Sequence, residues 1–253
     1  MTADTWFAIP TPRPAAIVQL VCFPHAGGGA SAFFPWSKAL AAHPVEVAAV
    51  KLPGREGRLR EPACADLCKI VAAIAGALPP AGARPIAFFG HSSGARLAFE
   101  TARRLRALGR RLPVHLFVSG ASAPNVPRTG PPLHLIRDEA AFMNEVAHRY
   151  GGIPATVMEH VELRSLIAPA LRADLTMHER YVYQDAPPLP VAITAYGGEQ
   201  DTAVSLEGLG RWQEHTANAF ASRMFAGDHF FLNQHRDALL ADVIARLTAQ
   251  NVI

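Results

Sequence analysis

The segment GHSSG at residues 90–94 has residue types and spacing that suit nucleophilic catalysis on acyl compounds. It directly follows an apolar run, IAFF at 86–89, and directly precedes an amphipathic helical pattern, so Ser92 stands at a predicted strand-to-helix turn. Such a turn crowds the backbone around the serine, and the small residues that it requires are present as Gly90 and Gly94. We therefore predict that Ser92 is a nucleophile; the alternative is that the two glycines only shape a tight turn.

A serine hydroxyl is a weak nucleophile near neutral pH, so it needs a base to take its proton and an acid to orient that base. In hydrolases whose serine lies at a strand-to-helix turn, the acid and then the histidine follow the serine along the chain. Asp201 lies in a loop that follows the apolar run at 191–196, and His229 follows a predicted last strand at 222–225. These positions favour Asp201 and His229 as the two partners, with Glu199 as a competitor for the acidic position.

A tetrahedral intermediate also needs backbone N–H donors directed at its oxyanion. Ser93, directly after the predicted nucleophile, offers one amide, and we favour Ala26 for the other because it lies in the loop that follows the first apolar run. A glycine-rich loop in this place also raises a phosphate or dinucleotide site as an alternative. The three consecutive glycines at 27–29 fit neither G-x-G-x-x-G nor the P-loop spacing with its lysine, so we expect no cofactor and no metal.

Short apolar runs bounded by glycine or proline predict the strands that must position these residues. They lie at 16–23, 45–50, 86–89, 114–118 and 191–196. Apolar residues recur at helical spacing over 67–78, 97–108 and 239–247. Because strands and helices alternate and the strands are apolar throughout, the sequence predicts an α/β protein with a mostly parallel sheet flanked by helices.

The segment 124–190 breaks this alternation, because it shows helical spacing of apolar residues and no convincing strand. It follows the strand at 114–118, where an insertion overhangs the carboxyl ends of the strands, the side on which open α/β sheets bind ligands. We predict that 124–190 is a helical lid inserted into a single domain that spans 1–253. The alternative is a segment that only adds packing to the core.

Composition bounds the protein class. The 253 residues are 50% hydrophobic and 18% charged, which suits one globular domain with a full core. The 24 Lys and Arg residues nearly balance 21 Asp and Glu residues without a run of like charge, so nucleic acid is not implied as a partner. The chain shows no signal-peptide pattern, no long apolar stretch, and three cysteines without zinc or redox spacing. We expect a soluble, cytoplasmic monomer that does not bind membranes.

Five stretches together resemble a known family. They are FPHAGGGAS at 23–31, LPGREGRL at 52–59, FGHSSGARLAFE at 89–100, LRAD at 171–174 and YGGEQD at 196–201. The chain is similar over nearly its whole length to type II thioesterases, the stand-alone editing enzymes that accompany nonribosomal peptide and polyketide synthases. The resemblance implies the α/β-hydrolase fold, a helical lid, and a Ser-Asp-His triad at the positions already reached.

The resemblance also implies the substrate and the partner. The family hydrolyses aberrant or misloaded acyl groups from the phosphopantetheine arm of acyl or peptidyl carrier protein domains, in pathways that make antibiotics or siderophores. This chain departs from the family at Ser93, where methionine is usual. Because an oxyanion donor there is a backbone amide, we expect the change to spare the oxyanion hole and to alter the wall of the acyl pocket.

Other functions remain open from the residues alone. A free-standing carboxylesterase or lipase would use the same triad, and a carrier-binding module that has lost catalysis is a third possibility.

Arg55 and Arg58 have two interpretations as well. They either pair with acidic or phosphate groups of a carrier, or they are solvated or form structural ion pairs with Glu56 or Glu61.

Overall fold

Buried apolar strands form one sheet. The computed structural model describes residues 3–80 and 83–253, and within them the sheet has seven strands in the order β1-β3-β2-β4-β5-β6-β7. The strands are β1 Phe7–Ala8, β2 Val18–Phe23, β3 Val45–Val50, β4 Ile86–His91, β5 His115–Ser119, β6 Ala192–Gly198 and β7 Phe220–Phe225. β1 pairs antiparallel with β3, and every other neighbouring pair is parallel. The predicted α/β class with a mostly parallel sheet is confirmed.

The predicted strands recur with small shifts at their ends. β3 has the predicted bounds, whereas β4 continues to His91 because the Gly90 and His91 backbone still pairs with β5. All residues of β2, β3, β4, β5 and β6 are buried, which explains why their sequences are apolar throughout. The short edge strand β1 has no counterpart in the prediction, since two residues carry no periodic signal.

Helices cover both faces of the sheet. They are α1 Ala3–Trp6, α2 Phe34–Ala39, α3 Leu67–Ala77, α4 Ser93–Ala107, α5 Glu139–Tyr150, α6 Ala155–Glu159, α7 Val161–Glu179, α8 Leu206–Gly210, α9 Phe231–Gln234 and α10 Arg236–Ala249. Ile74 of α3 and Leu97 of α4 belong to the apolar cluster on one face, and Trp36 of α2 and Leu239 of α10 to the cluster on the other. The sheet therefore lies between two separate layers of apolar packing.

The segment 124–190 contributes α5, α6 and α7, which pack around an apolar cluster of their own. The cluster includes Phe142 of α5, Val157 of α6 and Leu171 of α7. The Asp138 side chain caps α5 by accepting the N–H of Ala141 at 2.8 Å. This cluster gives the three helices a shared core outside the main sheet, and they lie over the edge at which the parallel strands end.

Within the residues that the structure describes, none of the helices combines the length and the apolar character needed to cross a membrane.

Candidate active site

Ser92 stands between the last residue of β4 and the first residue of α4. Its backbone has φ 56° and ψ −121°, a region that residues with a side chain rarely adopt. The N–H of Ser92 donates to the carbonyl of Ser119 in β5 at 2.8 Å, which ties the turn to the neighbouring strand. Such a conformation costs about 1–3 kcal/mol, so the surrounding packing must enforce it. Sequence and structure thus agree on a sharp, strained turn that presents a serine.

Two backbone contacts explain the glycines around Ser92. A Cβ atom on Gly94 would lie 2.2 Å from the carbonyl oxygen of Phe23, and one on Gly90 would lie 2.3 Å from the carbonyl oxygen of Gly94. Real Cβ atoms do not approach backbone oxygen so closely, and neither backbone segment has a flexible end that could give way. Glycine is therefore required where β4, the turn and α4 meet the end of β2.

Substitution of Gly94 by alanine is expected to destabilise the protein by about 1–3 kcal/mol, because the backbone must shift to admit the methyl group. Gly76 in α3 is the matched control, since a Cβ there meets no atom within 4 Å. Gly76→Ala is expected to stabilise the fold by about 0.5–1 kcal/mol through helix propensity. Chemical denaturation measures both changes, and equal effects of the two substitutions would contradict this account of the turn.

Three side chains from distant parts of the sequence form one hydrogen-bonded chain. His229 Nε2 lies 2.9 Å from Ser92 Oγ, and His229 Nδ1 lies 2.7 Å from Asp201 Oδ2. The His229 and Asp201 side chains are 4% and 1% exposed. Asp201 Oδ1 also accepts the N–H of Ala203 at 2.9 Å, which fixes the carboxylate. Glu199, the competitor for the acidic position, is exposed and directs no hydrogen bond to His229 within the described residues.

Loops that follow parallel strands bring these groups together. Ser92 follows β4, Asp201 follows β6, and His229 follows β7. β6 and β7 end side by side, with Gly198 opposite Phe225. Because the carboxyl ends of parallel strands meet at one edge, residues far apart in sequence converge there. The two amide groups favoured as oxyanion donors belong to the same edge, Ala26 after β2 and Ser93 at the start of α4.

The backbone N–H groups of Ala26 and Ser93 have no hydrogen-bond acceptor among the described residues, and both residues line the cavity into which Ser92 opens. By contrast, the next amide in the loop, that of Gly27, donates to the Asp174 carboxylate at 2.8 Å. Two unpaired amides beside a serine that contacts a histidine have the makeup of an oxyanion hole.

Three further histidines surround His229 and were not predicted from the sequence. Burial lowers the pKa of His25 to about 4, helped by the nearby His229 and Arg55 charges. Burial also holds the pKa of His91 and His178 well below their ordinary value. All three are therefore neutral at neutral pH, and of the four imidazoles only His229 contacts both a carboxylate and Ser92.

Two cavities meet at Ser92. The first holds about 150 Å³ and is walled by apolar side chains of α5, α6 and α7. These are Val146, Val157, Ile167, Leu171 and Leu175. The second holds about 390 Å³ and lies on the side of the loops that follow β5 and β6. Its wall mixes apolar side chains with the polar side chains of Arg96, Ser122, Arg128, Arg149, Thr202 and Ser205. We call them the apolar chamber and the polar chamber; Ser92, Tyr150, His178 and His229 line both.

The polar chamber contains a buried cation without a carboxylate partner. Arg96, on α4 after Ser92, is 9% exposed, and no carboxylate oxygen of the described residues lies within salt-bridge distance of its guanidinium. Its Nη1 lies 2.9 Å from Nδ1 of His178, its guanidinium carbon lies 4.5 Å from the centre of the Tyr181 ring, and its Nε is buried without a partner. Burial lowers the pKa of Arg96 to about 10, so the group remains charged at neutral pH.

The two arginines in LPGREGRL have structural partners. Arg55 and Arg58 are only 8% and 6% exposed. The interpretation that they contact a carrier and the interpretation that they are solvated are therefore both wrong. Arg58 pairs with Glu61 at 2.5 Å, one of the ion pairs considered from the sequence. Arg55 pairs with Asp174 at 2.5 Å and with neither Glu56 nor Glu61. Spacing along the chain missed this pair because Asp174 lies on α7, far from Arg55 in the sequence.

Within residues 3–80 and 83–253, no group of three or more His, Cys, Asp or Glu side chains is arranged to hold a metal ion.

The sequence analysis did not identify Arg96, Tyr150 and His178 as residues of the site. Arg96 had a usable signal, since it lies in the first turn of the helix that directly follows Ser92. Tyr150 and His178 reach the site through the packing of α5 and α7, which no local sequence pattern encodes.

The sequence matches a known protein family over most of its length. Residues 18–247 match the family model described as "Thioesterase domain". Over 233 residues the chain is 40% identical to the gramicidin S biosynthesis protein GrsT of Aneurinibacillus migulanus, which covers 92% of this chain and 90% of that protein.

Solved structures agree with the sequence comparison. The type II thioesterase BorB from the borrelidin biosynthetic cluster superposes with a TM-score of 0.86 and 36% identity, covering 98% of this chain and 99% of that one. YbtT, a type II thioesterase from the yersiniabactin NRPS/PKS biosynthetic pathway, superposes with a TM-score of 0.82 and 28% identity over 97% and 99% of the two chains.

Proposed function

The chain belongs to the thioesterase family, and from this membership we propose that it removes aberrant or misloaded acyl groups from the phosphopantetheine arm of synthase carrier domains. The family makes it a hydrolase of thioesters, and it resembles the type II members associated with NRPS and PKS clusters. One observation supports this site as the place of the reaction. Ser92, His229 and Asp201 form a hydrogen-bonded chain at the point where the apolar chamber and the polar chamber meet.

Acylation begins with Ser92. As its Oγ bonds to the thioester carbonyl carbon, the π electron pair of the carbonyl moves to oxygen, and His229 Nε2 takes the hydroxyl proton. Asp201 keeps Nδ1 of His229 protonated and stabilises the imidazolium that forms. The N–H groups of Ala26 and Ser93 donate to the oxyanion. The intermediate then collapses, the C–S bond breaks, and the departing sulfur receives the proton from His229, which frees the carrier thiol.

Deacylation repeats these steps with water. His229 Nε2 removes a proton from a water molecule, whose oxygen bonds to the acyl carbon of the Ser92 ester. The second intermediate collapses by breaking the bond to Ser92 Oγ, which regains its proton from His229. The products are a free carboxylic acid and the original enzyme. Because a thiolate leaves more readily than an amine, acylation demands less of the acid step than amide hydrolysis would.

The apolar chamber suits the acyl group. An apolar cavity of about 150 Å³ is large enough for a molecule of the size of benzene, so acyl groups of up to about six carbons fit. Ser93 lines this chamber and is 5% exposed, so the residue at which the chain departs from its family forms part of the acyl wall. We propose that short acyl groups, such as acetyl to hexanoyl, are preferred over long fatty acyl groups.

The polar chamber suits the arm. Phosphopantetheine carries two amides, a hydroxyl group and a phosphate, and the chamber offers hydroxyl and guanidinium donors to such groups. Arg96 and Arg128 also line a wider groove of about 570 Å³ that continues from this chamber along the loop at 124–132. An arm that lies in this direction places its thioester at Ser92 and its acyl group in the apolar chamber.

The test presents one acyl group on several leaving groups. Butyryl is supplied on a carrier protein, on pantetheine, on N-acetylcysteamine and as an oxygen ester, and kcat/KM is measured for each. The proposal expects the highest value for the carrier, lower values as the arm is shortened, and the lowest for the oxygen ester. A preference for the oxygen ester would favour a free-standing carboxylesterase instead.

Replacement of Arg96 by methionine is expected to raise KM for butyryl-pantetheine about 10-fold, because a buried charged donor to the arm is lost. KM for butyryl-N-acetylcysteamine, which lacks most of the arm, is expected to change less. Arg104 lies on the same helix but is exposed and lines none of the three cavities, so Arg104→Met is the matched control. Equal KM changes for both substrates would place the arm elsewhere.

A further inference from the structure

A buried ion pair joins three separate parts of the molecule. The Nη1 and Nη2 atoms of Arg55 donate to the two carboxylate oxygens of Asp174 at 2.5 and 2.8 Å, and the side chains are 9% and 3% exposed. Arg55 follows β3, whereas Asp174 lies on lid helix α7. Both side chains also bind the loop at 24–29 that follows β2, where Ala26 lies. The pair therefore connects the sheet, the lid and this loop.

The hydrogen bonds to the loop fall directly beside Ala26. Asp174 Oδ2 accepts the N–H of Gly27 at 2.8 Å, and this N–H belongs to the peptide bond that links Ala26 to Gly27. Arg55 Nη1 donates to the carbonyl oxygen of Gly28 at 3.0 Å, so the chain is held on both sides of Gly27. Because the peptide unit is planar, this hydrogen bond orients the whole Ala26–Gly27 peptide plane, which narrows the range of ψ open to Ala26 and so restrains its Cα and the N–H on its other side. The direction of the Ala26 backbone is thus tied to Asp174.

Close packing reinforces this attachment. Gly27 has φ 75°, and a Cβ atom there would lie 3.0 Å from Cδ1 of Leu171, which is one helical turn before Asp174 on α7. The loop backbone lies against the Leu171 side chain of α7, so a side chain at position 27 would be both tightly packed and strained by the positive φ. A movement of α7 would consequently carry the loop with it or break the Gly27 hydrogen bond.

We infer that Arg55 and Asp174 are positioning residues that hold the Ala26 N–H in the direction of the oxyanion. The inference rests on the proposed function, in which Ala26 supplies one of the two oxyanion donors. Arg55 and Asp174 touch neither the substrate nor the reacting atoms; they act through the loop. A buried ion pair adds little net stability compared with apolar packing, so its contribution here is geometric. Because Asp174 belongs to the lid, the oxyanion hole is complete only when α7 is docked.

The inference is tested with Asp174→Asn, which keeps the side-chain volume but removes the charge and one acceptor. A nitrophenyl ester and an acyl-pantetheine serve as substrates, and an acyl trifluoromethyl ketone, which forms a charged tetrahedral adduct with the serine, serves as the oxyanion probe. We expect kcat to fall about 100-fold for both substrates with KM nearly unchanged. The affinity for the ketone is expected to fall by a similar factor, because it also depends on the oxyanion donors.

Glu61→Gln is the matched control. It breaks the neighbouring Arg58–Glu61 pair, whose atoms lie 2.5 Å apart, without touching the 24–29 loop, and is expected to leave kcat and ketone affinity unchanged. Since Asp174→Asn leaves Arg55 buried without its partner, the double variant Arg55→Met/Asp174→Leu is measured as well. It removes both charges, restores apolar packing, and is still expected to show the loss of kcat and of ketone affinity.

These measurements distinguish a positioning role of the Arg55–Asp174 pair from a purely stabilising role. If the pair serves stability only, the variants melt earlier and fewer sites react with a fluorophosphonate, but kcat per reactive site and ketone affinity match the wild type. That result would overturn the inference. The wild-type rate on carrier-bound thioesters tests the proposed function separately. If the wild type cleaves the nitrophenyl ester but no thioester, only the proposed function is contradicted. The inference about the 24–29 loop can still be tested, because kcat for the ester and the affinity for the ketone both depend on the oxyanion donors.

Discussion

Replacement of Ser92 by alanine is expected to lower kcat for acyl release from a loaded carrier protein by about 10⁴-fold or more. The reason is that the covalent route disappears: no other hydroxyl lies within hydrogen-bond distance of His229 Nε2 among the residues described. The residual rate comes from binding and from the oxyanion donors acting on a water molecule. The measurement is single-turnover release of labelled butyrate from a butyryl carrier.

Ser93→Ala is the control for this substitution. It removes the adjacent hydroxyl, which lines the apolar chamber and contributes no side-chain hydrogen bond in the described part of the chain. Its kcat should remain close to that of the wild type, since the expected contribution of Ser93 to the reaction is a backbone amide. Comparable losses from the two alanine variants would show that Ser92 has no special part in the reaction.

The second large effect is expected from Asp201. Asp201→Asn replaces the carboxylate that contacts His229 Nδ1 at 2.7 Å with an amide of the same shape, so the imidazole loses its orienting acceptor. In comparable triads this change favours the wrong tautomer and costs about 10⁴-fold in kcat. We expect a loss of about 10³- to 10⁴-fold here, with the folded structure preserved.

Glu199→Gln provides the matched control, because Glu199 lies two residues away in the same loop and is exposed. It is expected to leave kcat unchanged, and circular dichroism should show that both variants are folded. A larger loss from Glu199→Gln than from Asp201→Asn would mean that the loop rearranges in the working enzyme. The pH dependence of kcat/KM for the wild type would then be needed to find the acid.

The sheet and the strand-to-helix turn could be predicted from the sequence because their signals are local. Apolar runs with glycine or proline at their ends define β2 to β6. The two glycines beside Ser92 are required because a Cβ atom on either would collide with backbone, that of the same turn for Gly90 and that at the end of β2 for Gly94. Asp201 and His229 also follow from local order, since each comes directly after a strand. The type II thioesterase resemblance is confirmed by the family model and by relatives over nearly the whole chain.

What the sequence could not provide depends on contacts between distant segments. The Arg55–Asp174 pair joins residues that are 119 positions apart, and the pairing guessed from spacing, with Glu56 or Glu61, was wrong for Arg55. The separation of the site into an apolar and a polar chamber depends on how α5 and α7 sit over the sheet. The burial that lowers the pKa of His25 and His178 has the same origin.

In the proposed reaction Ser92 receives the acyl group from the thioester, and fluorophosphonate labelling probes this step. The protein is labelled to increasing extents, the modified peptide is identified by mass spectrometry, and the remaining hydrolysis of a butyryl carrier is measured at each extent. We expect one label per chain, on Ser92, with activity falling in proportion to the labelled fraction. A chain that is fully labelled on Ser92 yet still releases butyrate at the original rate would contradict it.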